Sequence, residues 1–458
     1  MKNFKSRFPS LLVAVLIGSM ALVGCDGGPE EEYNGDPTQL KASITFWHTM
    51  GAANRVVLDQ MISGFNAVFP RITIEHASQG GYPEIRDKVS SAIPAGTTPT
   101  MAYCYPDHVA DYMSAGAVQD LTEFVEDPVL GLGIEGDLTL ANGTEDFIPA
   151  YWQEGQEYAE QGIFSVPFSK STEALFYNKD FFDAHDLSVP TTWAEVISVA
   201  RQIKVIDSES TPFGYDSDAN WFITLCEQMG IPYTSTDPEN HFLFNNAQAK
   251  AMVQDLKSWF DEGLITTQGT SPNNAYTSTQ FTEGKLYMTV GSTGGTRYNF
   301  SPNFEVGVAA VPQYQNPTTE VMSQKVISQG PSITIFKRAS ANQKIAAWLF
   351  YKWISNTTNS AIYSVLSGYN PVRSSSFATP QYTTDREVVP GTESELISDV
   401  AQFVPSIEDW YFVSPAFRGS STARDEVDGI IANVLLGLKT IDKAFQDALT
   451  ACVFSSEG

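Results

Sequence analysis

The chain has 458 residues, of which 42% are hydrophobic and 12% aromatic, enough for a large core and for two or three domains. Its 53 acidic side chains outnumber the 27 basic ones and give a net charge of −26. Such a charge speaks against nucleic acid and anionic lipid surfaces as partners. An anionic ligand would approach against this field, so any site for one must be built from local charges.

Residues 1–24 are typical of a secretory signal peptide. Three basic residues within the first seven positions precede an uncharged, mostly apolar run from Leu11 to Gly24. This run is shorter than the ~20 residues that a membrane-spanning helix needs. A basic start followed by a short apolar run indicates export from the cytoplasm.

The end of this run, Leu22-Val23-Gly24-Cys25, is similar to a bacterial lipobox. In that signal the chain is cut before the cysteine, which is then acylated. We therefore expect a lipid anchor on Cys25, followed by a flexible tether over 25–41 that is acidic and rich in Gly and Pro. The protein would then sit outside the cytoplasm, anchored to the bacterial cell membrane. The alternative is an ordinary secretory signal with a chance cysteine.

The next elements in chain order predict a parallel sheet. Ile44–Trp47 is an apolar strand, apolar residues between Val57 and Phe69 recur at helical spacing, and Ile72–Glu75 is a second strand. This strand–helix–strand order implies parallel strands covered by helices. The same alternation continues along the chain, with helices over 82–93, from 107, and over 192–205, 247–262, 341–355, 422–436 and 440–452, and strands over 100–105, 174–177 and 286–290.

Motifs for catalysis, cofactors or metals are weak or absent in the sequence. Gly131–Gly136 matches G-x-G-x-x-G but lacks the flanking strand and helix of a dinucleotide site, so we interpret it as a surface loop. Asp216, Asp218 and Asn220 have calcium-loop spacing, but Trp221 stands where the turn needs glycine. No P-loop, G-x-S-x-G or H-E-x-x-H occurs. We predict no catalytic residue, no metal and no cofactor.

Three cysteines remain after Cys25, namely Cys104, Cys226 and Cys452. They are widely spaced and odd in number, and no C-x-x-C pair occurs, so a metal site of that type is unsupported. One disulfide is compatible with export. Buried free thiols are the favoured interpretation.

Several segments resemble the family 1 extracellular solute-binding proteins of ABC importers. They are Ile44–Met50, Pro167–Thr172 followed by Tyr177-Asn178-Lys179-Asp180, and Ser367-Gly368-Tyr369-x-Pro371. The resemblance runs from Phe46 to about Ala451. It implies a two-lobed periplasmic-binding-protein fold of type II, α/β in class, in which each lobe is a mainly parallel sheet flanked by helices.

The resemblance also implies where the lobes begin and end. Lobe one would comprise 42–172 and 293–335, and lobe two 173–292 and 336–458. The ligand would lie between the lobes, at the ends of the strands, where open α/β sheets bind ligands in general. The partners would be a small-molecule ligand and ABC permease subunits, and we expect a monomer.

Ligand-binding positions carry over residue by residue from the family's glycerol-phosphate binders. The implied contacts to the phosphate are an arginine, two serines, a glycine amide and two tyrosines, which form a charge-assisted cage: Arg424, Ser171, Ser292, Gly330, Tyr82 and Tyr369. The other end of the ligand site departs from the family pattern. Its glutamate falls at Pro106, beside Asp107, and its aromatic floor falls near Trp221 and Phe222.

These matches predict a binding protein for sn-glycerol-3-phosphate or a related glycerophosphodiester. The alternative is a binding protein for a sugar or oligosaccharide, which aromatic and acidic side chains would suit equally well. A remote alternative is an anchored hydrolase of such esters. We expect no enzymatic activity, because the sequence shows neither a nucleophile motif nor a metal motif.

Overall fold

The computed structural model describes residues 33–385 and 387–457. The predicted signal peptide and Cys25 lie outside these residues, so the lipid anchor stays a prediction. Among the helices within them, none combines the length and apolar character that crossing a bilayer requires.

Twelve strands form two large sheets and one small one in the described residues. The first large sheet has the order β2-β1-β3-β11-β4, the second has the order β7-β6-β8-β5-β9, and β10 pairs with β12. The strands are β1 Ala42–His48, β2 Ile72–Ser78, β3 Met101–Cys104, β4 Val166–Pro167, β5 Glu173–Asn178, β6 Phe213–Tyr215, β7 Ile265–Thr267, β8 Met288–Ser292, β9 Val306–Ala310, β10 Val326–Ile327, β11 Ser332–Ile335 and β12 Tyr411–Phe412.

Helices surround both large sheets. They are α1 Ala52–Val68, α2 Tyr82–Ala95, α3 Pro106–Ser114, α4 Thr122–Glu126, α5 Pro149–Glu154, α6 Lys179–Ala184, α7 Trp193–Ile206, α8 Asp218–Met229, α9 Ala247–Asp261, α10 Thr277–Thr282, α11 Ala341–Ile354, α12 Thr357–Ser367, α13 Pro380–Thr383, α14 Glu393–Phe403, α15 Ser420–Leu435 and α16 Ile441–Glu457. The sequence-based helices are confirmed to within a few residues at their ends.

Local sequence explains where several of these helices begin and end. Thr192 accepts a hydrogen bond from the Glu195 amide and Glu195 caps the Thr192 amide in return, so α7 begins with a capping box. Beyond the end of α9, Gly263 has a φ of +72°, a left-handed conformation that glycine adopts at little cost. These signals are local, which is why the sequence reveals them.

The α/β fold with two lobes and mainly parallel sheets is confirmed, and each large sheet contains one strand that runs against the other four. β1 runs parallel to β2 and β3, whereas β11 runs antiparallel to β3 and β4. In the second sheet β6 runs parallel to β7 and β8, whereas β5 is antiparallel to β8 and β9. The antiparallel strands are those that follow crossovers between lobes, where no helix turns the chain back on the same sheet.

Sheet membership departs from the predicted lobe division at two places. β9 pairs with β5 in the second sheet, so this part of 293–335 lies with lobe two. Helices α11 and α12 pack on β1 and α1, so this part of 336–458 lies with lobe one. The second and third changes of lobe therefore lie further along the chain than the resemblance suggested.

The three cysteines that the structure describes, Cys104, Cys226 and Cys452, are all buried free thiols. Burial raises the pKa of each thiol above its ordinary value. The interpretation of these residues as buried thiols is confirmed.

Candidate functional site

The chain segments that connect the two lobes meet at the site. Ser171 forms a bridge with Gln329, and Lys170 forms one with Asn370, so the segment between β4 and β5 is held on both sides by other crossover segments. Thr293 donates its amide to the Thr172 carbonyl at 2.8 Å. This arrangement places the ends of β5, β8, β10 and β11 around a common point between the lobes.

A cavity of about 60 Å³ lies at this point. Its lining includes two cationic and two acidic side chains together with tyrosine and glutamine: Tyr105, Asp107, Glu154, Lys170, Gln329 and Arg424. Ligand pockets typically have volumes of about 300–1,000 Å³. The lobes are therefore close together in this structure, and a ligand of ordinary size requires them to separate.

Arg424, on the first turns of α15, is a half-buried guanidinium at this cavity. It donates a hydrogen bond to the side-chain oxygen of Asn220, which lies on α8. Asn220 in turn donates to Glu173 at 2.8 Å. The predicted anion-binding arginine is thus held by an amide and a buried carboxyl that the sequence reading did not single out.

Glu173 begins β5 and is the centre of this hydrogen-bonded group. Its carboxyl accepts from Asn220, from Gln329 at 3.0 Å and from the Tyr215 hydroxyl at 2.5 Å. Burial raises the pKa of Glu173 to about 7, an effect that the three hydrogen bonds and the charge of Arg424 only partly offset. One buried carboxyl thus joins β6, α8 and a crossover segment.

The second cation of the cavity, Lys170, forms a buried ion pair with Glu154. Its amino group donates to both oxygens of Glu154 at 2.8 Å and to the Gly330 carbonyl at 2.9 Å. Glu154 also accepts from Ser332 at 3.1 Å. Because an ammonium has three donors, Lys170 is fully used by the protein.

Three tyrosines form a cluster beside the cavity. The rings of Tyr82 and Tyr105 are 4.5 Å apart, and the hydroxyl of Tyr82 is hydrogen-bonded to Tyr369. Burial raises the pKa of all three phenols, so they stay neutral and can donate hydrogen bonds. The structure therefore brings together Tyr82 and Tyr369, both predicted, with Tyr105, which was not.

The two predicted serines also meet at the crossover. Ser292 ends β8, and its hydroxyl donates to that of Ser171 at 3.2 Å. The same oxygen accepts from the Gly294 amide, which caps a short 3-10 turn. Both serines therefore lie on the connections between lobes, where a change of hinge angle would move them.

Trp221 and Phe222 do not form an aromatic floor for the cavity. Trp221 is 1% exposed and stacks on Tyr215 with ring centroids 5.0 Å apart, while Phe222 is fully buried and lies near Phe445. Both rings belong to the hydrophobic core of lobe two, and the cavity is lined from α8 by Ile223 instead. The prediction for these two residues is corrected: Trp221 packs on β6 and Phe222 packs toward α16, so both rings fill the core.

Gly330 has a backbone that only glycine can adopt there. Its φ is +80°, and a Cβ at this position would lie 1.9 Å from the Ser169 carbonyl oxygen. The Gly330 carbonyl also accepts from Lys170, so the glycine lets the crossover segment lie directly against the buried ion pair.

We expect Gly330→Ala to lower the free energy of unfolding by at least about 2 kcal/mol, because it adds a backbone clash to an unfavourable φ. Gly437→Ala is the matched control, since Gly437 has a φ of +68° but open space around its Cβ direction. Denaturant unfolding of both variants measures the difference. Equal losses in the two variants would show that the contact with Ser169 costs nothing.

Comparison with known proteins identifies the family. The family described as bacterial extracellular solute-binding protein matches residues 60–390, which is most of the chain. The chain belongs to this family. It is the extracytoplasmic solute-binding component of an ABC importer, as the sequence resemblance predicted.

Individual relatives of this binding protein share its length but little of its sequence. The sn-glycerol-3-phosphate-binding periplasmic protein of Rhizobium meliloti is 23% identical over 374 residues, covering 78% of this chain and 82% of its own. The protein of the same name from Escherichia coli K12 is 22% identical over 368 residues, covering 78% and 80%.

Solved structures show the same fold. The UgpB protein of Mycobacterium tuberculosis in complex with glycerophosphocholine superposes with a TM-score of 0.71 at 18% identity, covering 91% of this chain and 98% of its own. The GacH receptor of Streptomyces glaucescens, solved unliganded and with acarbose, also gives a TM-score of 0.71 at 19% identity, covering 92% and 99%. At such identities the likeness establishes the fold of the binding protein.

The sequence reading missed Glu154, Lys170, Glu173 and Asn220. Lys170 and Glu173 stand within and just after the Pro167–Thr172 segment, so a charged residue in an otherwise uncharged crossover was the available signal. No sequence signal pointed to Glu154 or Asn220, because each acquires its role only from a partner that is distant in sequence.

Proposed function

We propose that this protein binds a glycerophosphodiester or sn-glycerol-3-phosphate between its lobes and delivers it, without chemical change, to the permease of an ABC importer. The proposal rests on Arg424, whose guanidinium has hydrogen-bond donors that the protein does not use. Lys170, the other cation of the cavity, is fully used by Glu154 and Gly330. Arg424 makes one hydrogen bond, to Asn220, and no described carboxylate lies within ion-pair distance of it. Its remaining donors suit a phosphate group.

The same cavity favours a phosphodiester with a cationic head group. One available guanidinium matches the single negative charge of a phosphodiester better than the nearly double charge of a monoester. Asp107 lines the cavity together with the rings of Tyr105 and Tyr233. A carboxylate and aromatic rings in the same cavity suit a quaternary ammonium such as choline.

A sugar or oligosaccharide is the second candidate. Asp107, Gln329 and the tyrosines of the cavity can also bind sugar hydroxyls, and several proteins of the same fold are described as binders of maltose or other oligosaccharides. In this case Arg424 would have no anionic partner in the ligand. Hydrolysis of a bound ester is a remote third candidate, which the detection of product from glycerophosphocholine would support.

We further propose that the protein is anchored to the membrane and that its lobes move. The lipobox-like sequence ending at Cys25 would anchor the protein by acyl chains, and the residues that follow would act as a tether. We propose a monomer whose lobes rotate about the crossovers to admit and enclose the ligand. Labelling with radioactive palmitate, lost in Cys25→Ser, tests the anchor.

A thermal-shift and calorimetry panel tests the ligand. It uses glycerophosphocholine, sn-glycerol-3-phosphate, inorganic phosphate and maltose with the purified protein. A true ligand at about 100 times its dissociation constant adds ~2.7 kcal/mol of stability. We expect glycerophosphocholine to stabilise most. Stabilisation by maltose alone would overturn the phosphate assignment and leave the fold and the family unchanged.

A further inference from the structure

The carboxyl of Glu173 lies behind the anion site and is connected to it by two routes. Through Asn220 it reaches Arg424 of α15, and through Gln329 it reaches the cavity lining itself. Both amides donate to the carboxyl, which fixes the orientation of each amide. The Asn220 oxygen must therefore face Arg424, and the Gln329 oxygen is turned away from the carboxyl.

We infer that Glu173 is a positioning residue which orients Arg424 and Gln329 and takes up a proton from solvent when an anionic ligand binds. This inference rests on the proposed phosphate ester ligand. The physical reason is electrostatic. While Arg424 has no ligand, its positive charge stabilises the Glu173 carboxylate. A bound phosphate neutralises that charge, and the buried carboxylate then loses its nearest source of stabilisation.

The surroundings of Glu173 can accommodate either protonation state. The groups that act most strongly on its carboxyl are Tyr215, Asn220, Arg424 and Gln329, and of these only Arg424 is charged. Asp218, two residues before Asn220 on α8, is a second buried carboxyl whose pKa is raised to about 7, but its carboxyl accepts from the Gly269 amide, away from this group. When Glu173 is ionised, the Tyr215 hydroxyl donates to it. When Glu173 is protonated, Tyr215 can accept the new hydrogen bond and donate instead to the buried hydroxyl of Thr224, which lies beside it. No buried donor or acceptor of the group is left unpaired by the change.

The pKa of Glu173 lies where ligand binding can change its protonation at neutral pH. The pKa of Glu173 is raised to about 7 by burial, so the group is partly protonated at neutral pH before any ligand binds. A further rise of one unit on binding would transfer about 0.4 proton at pH 7. Because the bound state then holds more protons, affinity falls as the pH rises. The same shift predicts a loss of affinity approaching 10-fold between about pH 6 and pH 9.

A second carboxyl near Arg424 provides the control. Asp428 lies one turn further along α15, accepts from the Ala219 amide and is also stabilised by Arg424. Asp428 is not hydrogen-bonded to Asn220 or Gln329 among the described residues, so it does not orient the site. Arg424 therefore stabilises two carboxyls, and only that of Glu173 is expected to take up a proton on ligand binding.

Isothermal calorimetry with glycerophosphocholine tests the inference, because a phosphodiester does not titrate between pH 6 and 9. Binding at pH 7 in buffers of different ionisation enthalpy counts the protons. We expect uptake of about 0.4 proton by the native protein and by Asp428→Asn, and none by Glu173→Gln, whose affinity should also become independent of pH.

The outcomes separate the inference from the proposed function. Failure of both glycerophosphocholine and sn-glycerol-3-phosphate to bind would overturn the proposed function, and the coupling with it. Binding without proton uptake by the native protein would overturn the coupling alone, and this measurement needs no variant to fold. If Asp428→Asn lost the proton uptake and Glu173→Gln kept it, the proton would belong to Asp428, and the role of Glu173 would be overturned.

Discussion

Lys170→Met is expected to destabilise the protein by about 3–5 kcal/mol. The substitution removes one partner of an ion pair whose two side chains are 0% and 1% exposed, and leaves the Glu154 carboxylate buried without a counter-charge. It also removes the donor to the Gly330 carbonyl, which holds a crossover segment. Denaturant unfolding at pH 7 measures the loss. Two variants separate this cause from simple loss of packing.

The double variant Lys170→Met/Glu154→Gln should recover a large part of the stability, because an apolar and a neutral side chain then replace both charges. Lys257→Met is the matched surface control. Lys257 pairs with Asp261 one helical turn away at 2.5 Å, and Asp261 is more than half exposed. Exposed pairs contribute at most about 1 kcal/mol. A loss no larger at Lys170 than at Lys257 would show that the buried pair is not a determinant of stability.

Arg424→Ala is expected to weaken the binding of glycerophosphocholine at least about 30-fold. Removing one partner of a hydrogen-bonded charge pair in a site closed from solvent costs about 2 kcal/mol or more. Stability should change little, because Arg424 is half-buried and has one hydrogen bond to a neutral amide. Calorimetric titration of the native protein and the variant gives the ratio of dissociation constants.

Arg418→Ala controls for a general change in charge. Arg418 is exposed and lies just before α15 in the chain, so its loss alters the net charge equally without touching the cavity. Its affinity for glycerophosphocholine should match that of the native protein. Unchanged affinity in Arg424→Ala would contradict the phosphate assignment. If maltose then bound both proteins equally, the ligand would be a carbohydrate.

Much of the fold could be predicted from local patterns. The helical spacing of Val57 to Phe69, the capping box at Thr192 and the glycine after α9 each act over a few residues, and each element formed where it was expected. The family resemblance supplied the two lobes. The reversed direction of β5 and β11 and the lobe membership of β9 and α11 were not predicted, because strand direction after a crossover depends on which lobe receives the chain.

Some of the residues predicted to bind a ligand lie at the cavity and others do not. Arg424 and Asp107 line the cavity, and Tyr82 lies against Tyr105, which also lines it. The prediction that Trp221 and Phe222 form an aromatic floor for the ligand was wrong. A local pattern of aromatic residues on a helix does not show whether they pack in the core or face a ligand. The stacking of Trp221 on Tyr215 of β6 shows that this ring lies in the core.

Local periodicity and short motifs were enough to predict the α/β class, most helices and the family, and they singled out Arg424 as a candidate ligand-binding residue. The hydrogen-bond partners of Arg424 and the pairing of Lys170 with Glu154 could be read only from the folded structure. Lys170 meets Glu154 across 16 positions, Gln329 meets Glu173 across 156, and Arg424 meets Asn220 across 204. Burial and pairing between such distant residues follow from the packing of the lobes, which no local pattern encodes.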